Sequence, residues 1–173
     1  MLSELRKPVW SQDCISLRTK MQIYRAMVMS VVLYGSESWT CTDQDYAKLN
    51  TFHNKNLRSL LGMKKSDIGN EELYRLTGSC SLEAYVRKYR LRWAGHVRRM
   101  NADRIPKRIL FGELADGKRG KGRPKKNWMA CLEDDWDRLR IKKKDLDQPF
   151  SKWTEVAKQR PVWKDLISYL TPR

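Results

Sequence analysis

Residues 81 to 100 read SLEAYVRKYRLRWAGHVRRM, and no other stretch restricts the chain's fold as tightly. Ser81 followed by Glu83 marks a helix start, and Leu82, Val86, Tyr89, Trp93, Val97 and Met100 recur at spacings of three and four, which places them on one buried face of a helix. The other faces are cationic: Arg87, Arg90 and Arg98 form one expected outward stripe beside Ala94, and Lys88, Arg92 and Arg99 form a second. A backbone held by its apolar side while guanidinium groups project in rows has the geometry of a phosphate-binding surface, because the Arg fork matches phosphate oxygens bidentately. No stretch of useful length alternates apolar and polar residues with the period of two that a half-buried strand needs, and there is no internal repeat, so the expected fold is all-α.

The charge continues past this helix. Arg104, Lys107, Arg108, Lys118, Arg119, Lys121, Arg123, Lys125 and Lys126 follow, so residues 81 to 126 hold fifteen basic and four acidic residues, +11 of a formal net charge of +16. That balance implies a polyanionic partner. The chain is too apolar for a disordered basic tail, with 40% hydrophobic residues and seven Trp, and its 173 residues suit one globular domain or two small helical ones. Cys14, Cys41, Cys80 and Cys131 form no CxxC pair and lack zinc-ligand spacing, so they read as reduced thiols of an intracellular protein. The longest apolar run, from Ala26 to Gly35, is about half of the roughly 20 residues a membrane span requires. No metal, cofactor or membrane partner is expected.

Taken in order, residues 1–15 read as an irregular lead and 16–64 as a helical hairpin. Its first helix buries Leu17, Met21, Tyr24, Val28 and Val31, carries Arg18, Lys20, Gln22 and Arg25 outward, and is apolar nearly all round from Met27 to Leu33, so that half is expected inside. Its second starts at a Thr42/Asp45 capping box, turns Tyr46, Leu49, Phe52 or His53, Leu57 and Leu60 inward, and stops at Gly62. Residues 65–114 form a basic helical segment containing a short helix from Asn70 to Thr77 and another opened by Pro106 and closed by Gly112. Residues 115–126, with Gly117, Gly120, Gly122 and Pro124 among cations, read as a basic linker and the best domain boundary. In 127–173, Trp128, Leu132, Trp136 and Leu139 line one helix; Phe150, Trp153 and Val156 a second; Trp163, Leu166, Ile167 and Leu170 a last one opened by Pro161.

Other candidates have plainer readings beside the functional ones. Gly122, Arg123 and Pro124 resemble the core of an AT-hook, whose Arg lies in a narrow A·T minor groove, but nonspecific phosphate contact, a nuclear-import signal or a solvated linker fits the same letters. Glu133, Asp134 and Asp135 splay around a helix rather than converging on a metal, and the default is a solvated acidic face; Glu133, Asp134 and Asp137 could also pair with cations of the 81–100 helix. His53 and His96 are expected as packed core histidines, and the aromatic residues as core, with Trp10 and Trp39 left outside it to stack on bases.

Four blocks, LRTKMQIYRAMVMSVVLYGSESW at 17–39, LRWAGHVRRM at 91–100, RIPKRILFGEL at 104–114 and GKRGKGRPKKNW at 117–128, together resemble the region downstream of the catalytic palm in the reverse transcriptase polyprotein of LINE-type non-LTR retrotransposons. The resemblance runs from about residue 10 to 170. It implies that 16–64 correspond to the helical thumb that grips a template-primer duplex, and that the rest is the basic extension that helps to hold RNA and DNA. Arg160 followed by Trp163 also fits the closing Arg-x-x-Trp pattern of such extensions. The palm's paired metal-binding carboxylates are unmatched, as is the Cys-His knuckle of some relatives, so the chain reads as a noncatalytic fragment or retroelement-derived frame beginning just upstream of the thumb. The expectation is a nuclear protein that binds RNA, DNA or both through backbone contacts, with a missing palm domain or another protein surface as a further partner. The alternatives are the C-terminal end of an active RNA-directed DNA polymerase and a translated pseudogene without a selected role.

Overall fold

The computed structural model describes residues 9–12, 14–112, 127–142 and 148–171, without the side chains of 141 and 142. Among them there is no strand: the fold is all-α. The chain divides into two compact units, Met1–Ser36 with Cys41–Val86 and Thr171–Arg173, and Glu37–Thr40 with Arg87–Leu170. The linker expected at 115–126 lies outside the described residues.

In the first unit, Ser16 caps α1 (Leu17–Tyr24) by accepting from the Thr19 N–H. The helix runs on through a π-helical segment, Arg25–Met29, into α2 (Ser30–Val32). A π turn closes its hydrogen bond over five residues instead of four, as the Ser30 N–H does on the Arg25 carbonyl, so the inward face slips along the sequence. Val28, Met29 and Leu33 are buried, while Met27 is exposed, Val31 is 63% exposed and Tyr34 85%. The all-round burial expected for Met27 to Leu33 is therefore corrected: one side of that turn faces outward. Lys20, expected outside, is buried with its ammonium donating to the Trp10 carbonyl at 2.9 Å, and Trp10 is core rather than an outlying base-stacking ring.

The Thr42/Asp45 capping box forms as the sequence predicts, with the Thr42 N–H on Asp45 Oδ2 at 2.9 Å and the Asp45 N–H on Thr42 Oγ1. It opens α3 (Asp43–Leu61), which ends at Gly62 with φ +67, a left-handed conformation that costs glycine nothing. Tyr46, His53, Leu57 and Leu60 are its inner face. α4 (Asn70–Thr77) ends likewise at Gly78, whose carbonyl accepts from Arg25. His53, rather than Phe52, points inward: Nδ1 lies 2.9 Å from the Tyr24 hydroxyl and Nε2 3.2 Å from Ser79 Oγ, with the Tyr74 ring stacked on it. Burial drives this imidazole down to about 4, so it is neutral at ordinary pH. The same burial raises the Tyr24 phenol above its usual range.

The second unit takes α5 (Leu82–Arg99) from Arg87 onward, α6 (Ile105–Phe111), α7 (Trp128–Lys142), α8 (Trp153–Lys158) and α9 (Arg160–Ser168). Leu91 and Ala94 of α5 pack with Leu132, Trp136 and Leu139 of α7, Trp153 and Ala157 of α8, and Trp163, Leu166 and Ile167 of α9. Indole rings fill its centre: Trp136 stacks on Trp163 with centroids 6.0 Å apart, and Trp153 leans on Trp163 at 6.2 Å. Their N–H groups are satisfied where they are buried, Trp163 Nε1 donating to the Leu91 carbonyl at 3.1 Å and Trp136 Nε1 to that of Gln148 at 3.0 Å.

Candidate nucleic-acid interface

Residues 87 to 99 of α5 fix which cations are available, because the helix is rotated from the orientation that its Leu82/Val86/Tyr89/Trp93/Val97/Met100 stripe predicts. Val86, Arg87, Arg90, Leu91, Ala94 and Val97 are buried, whereas Tyr89, Trp93 and Met100 are only partly so. Two of the expected phosphate-binding arginines thus point inward. Arg87 is 2% exposed and Arg90 fully buried. Both are held by Asp135 of α7: Arg87 Nη1 donates to Oδ1 at 2.6 Å and Arg90 Nη1 to Oδ2 at 2.7 Å. Arg87 also reaches Asp134 at 2.8 Å, and Arg90 donates to the Trp39 carbonyl at 2.7 Å. Burial pushes the Asp135 carboxyl up to about 6 against the opposing pull of Arg90 and Arg87, leaving it ionised at neutral pH. A buried carboxylate shared by two forks explains why these arginines are inside: each charge is paired where an unpaired one would be very costly.

The opposite face of α5 remains outside. Arg92 and His96 are exposed and Arg99 is partly so, at spacings of four and three that align them along the helix, with Lys88 one turn earlier on the same line. The core placement expected of His96 is therefore corrected. Arg92 has no ion-pair partner among the described residues. Arg99 donates from Nη1 to the Ala157 carbonyl at 2.6 Å, which anchors its guanidinium over the end of α8. Arg98 lies 5.9 Å from the centre of the Phe111 ring, a cation–π contact that occupies it on the α6 side.

Arg104, the residue that precedes α6, and Arg108 within it are exposed, but Lys107 turns back so that its ammonium donates to the Arg98 and Met100 carbonyls. It caps the C-terminal end of α5, where the helix dipole is negative. Lys118, Arg119, Lys121, Arg123, Lys125 and Lys126 lie outside the described residues. The structure thus brings Lys88, Arg92 and Arg99 onto one line, sets Arg104 at the start of the next helix and Arg108 within it, and removes Arg87 and Arg90 into the core.

With that geometry in place, comparison with known proteins adds one relation. An uncharacterized transposon-derived protein of Caenorhabditis elegans is 25% identical to the chain over 156 residues, which cover 87% of this chain and 54% of that protein. The chain spans about half the length of this curated relative. No protein-family model matches the sequence, and no solved structure matches it. This is a basic, helical chain distantly similar to a transposon-derived protein. Among the described residues no helix is long and apolar enough to cross a membrane.

The pairing the sequence offers between Asp134 and a cation of the 81–100 helix is present at Arg87, whereas Asp135 and the burial of Arg87 and Arg90 are not expected from it. The signal was present in the spacing: Asp135 follows Leu132 by three and precedes Leu139 by four, so it shares the inner face of α7 with the residues that line it. Asp137 behaves as an acidic surface residue should, 3.8 Å from Arg140.

Proposed function

We propose that the chain is a noncatalytic nucleic-acid-binding module of retroelement origin, corresponding to the thumb and basic C-terminal extension of a LINE-type reverse transcriptase and working in the nucleus. The observation that carries this reading is the division of labour on α5: Asp135 and Asp134 together pair with the arginines of the inner side, and the cations of the outer side, Arg92 and Arg99 with His96 between them, stay at the surface. Arg104 and Arg108 extend that surface onto α6. The fifteen-to-four excess of cations over residues 81 to 126 supplies the field that draws a polyanion to it. Contacts of this type position a sugar-phosphate backbone and carry no sequence information of their own.

The test is a salt titration of binding to four probes, RNA and DNA in single and double strands. With about six to eight phosphates engaged, log affinity falls against log salt by about 0.7 to 0.9 per contact. A flat response for all four probes rejects the reading. A second reading is the C-terminal end of a longer RNA-directed DNA polymerase; the match, which covers 54% of the transposon-derived relative, is consistent with a longer parent protein. An in-frame upstream palm with paired carboxylates in the transcript would establish it, and a transcript closed by stop codons there would reject it.

A further inference from the structure

We infer that Arg160 and Arg99 form a two-guanidinium clamp that grips one phosphodiester group of a nucleic-acid strand at the end of the basic line on α5. The inference rests on the nucleic-acid reading above and adds to it a residue, Arg160, that no cationic run singles out. The placement begins with a glycine. A Cβ at Gly95 would lie 2.1 Å from Trp163 Nε1, so only glycine lets the indole lie against α5 here, and the Trp163 N–H then reaches the Leu91 carbonyl at 3.1 Å. Trp163 is thereby pinned beside Gly95, and Arg160 stands three residues before it at the start of α9. Arg99 stands one turn beyond Gly95 on the same edge of α5, and its bond to the Ala157 carbonyl ties it to the residue three before Arg160. Two independent anchors therefore draw the two arginines towards each other.

The charges are consistent with that approach. Partial burial and, after it, the positive charge of Arg160 hold the Arg99 guanidinium below its usual range. Neither arginine has a carboxylate partner among the described residues, so both lack the counter-charge that Arg87 and Arg90 receive from Asp135. Gln159, the residue that precedes α9, makes no side-chain cap, and the positive end of that helix dipole adds to the same place. A phosphodiester is the ligand chemistry that answers this arrangement: singly charged, with two unesterified oxygens that accept from two forks. The Arg-x-x-Trp pairing gains a physical meaning, the Trp fixing the turn of helix that presents the Arg.

The experiment uses the full chain and the tightest of the four probes. Arg160 is exposed and bonded to no described side chain, so Arg160→Ala should leave the circular dichroism and thermal midpoint unchanged while weakening binding about tenfold, the worth of a charge-assisted contact. The double variant should lower the salt slope by one increment of about 0.7 to 0.9 and not by two, because both arginines serve one phosphate, whereas Arg99→Ala alone, which leaves Arg160 on that phosphate, should lower it by less than that increment. Arg160→Lys should keep the slope and recover only part of the affinity, since the charge remains and the fork does not. Salt-dependent binding of the unmodified chain that Arg160→Ala leaves untouched overturns the clamp alone, as does a double variant that loses two increments. An unmodified chain that binds no probe overturns the nucleic-acid reading and the clamp with it.

Discussion

Replacing Asp135 with asparagine removes one negative charge and leaves two guanidinium groups in a nearly solvent-free site. Asparagine keeps the shape of the side chain, but its carbonyl oxygen accepts from only one of the two forks, and its NH2 group presents donors to the other. Breaking a buried ion pair by removing one partner costs about 3 to 5 kcal/mol. The low end applies here, because Arg87 keeps its 2.8 Å bond to Asp134 and Arg90 keeps the Trp39 carbonyl at 2.7 Å. For a chain of this size each kcal/mol moves the thermal midpoint by about 2 to 4 °C, so Asp135→Asn should lower it by roughly 6 to 12 °C in a calorimetric or circular-dichroism melt. Asp134→Asn is the matched control: the Asp134 side chain is 39% exposed and Arg87 retains Asp135, so the shift should stay within about 1 kcal/mol. Equal shifts for the two variants, or a shift below about 2 °C for Asp135→Asn, would refute the assignment of Asp135 as the charge that holds α5 in its rotation.

Gly95→Ala forces a methyl into the Trp163 indole, 2.1 Å from Nε1, and the overpacking should cost about 1 to 3 kcal/mol in chemical denaturation, whereas an alanine at an ordinary helical glycine stabilises. His53 ties stability to pH. Its folded value of about 4 lies below the unfolded 6.5, so the folded chain binds fewer protons between them, and stability present above 6.5 is lost as pH falls, about 2 kcal/mol of it by pH 5. Asp135, raised to about 6, acts in the opposite sense over the same window, so the loss is read as the difference between the unmodified chain and His53→Phe, and equal pH profiles would contradict it.

Local signals carry much of this fold. The Thr42/Asp45 box, the stop at Gly62, the short Asn70–Thr77 helix, and Pro106 and Pro161 at helix starts depend on local signals, and all of them appear where the sequence places them. The rotation of α5 does not act locally. Its sequence offers two stripes of similar period, one through Tyr89 and Trp93 and one through Arg87, Arg90, Leu91 and Ala94, and hydropathy favours the first. The second prevails because Asp135, 45 residues after Arg90, meets the guanidinium groups from another helix. Gly95 is a related case: a glycine in mid-helix costs about 1 kcal/mol against alanine, which marks a close approach, but not that Trp163, 72 residues after Leu91, makes it. The π segment after Tyr24 likewise shifts its inward face beyond the reach of any fixed helical period.

Nucleic acid should meet the surface left over once Asp134 and Asp135 have taken Arg87 and Arg90, which the salt slope of a triple variant, Arg92→Ala with Arg104→Ala and Arg108→Ala, measures. All three side chains are exposed, so the thermal midpoint should hold, while the slope of log affinity against log salt becomes shallower by about 2 to 3, three contacts at roughly 0.7 to 0.9 each. A slope that stays where it was, in a variant that remains folded, would show that nucleic acid binds elsewhere or not through phosphates.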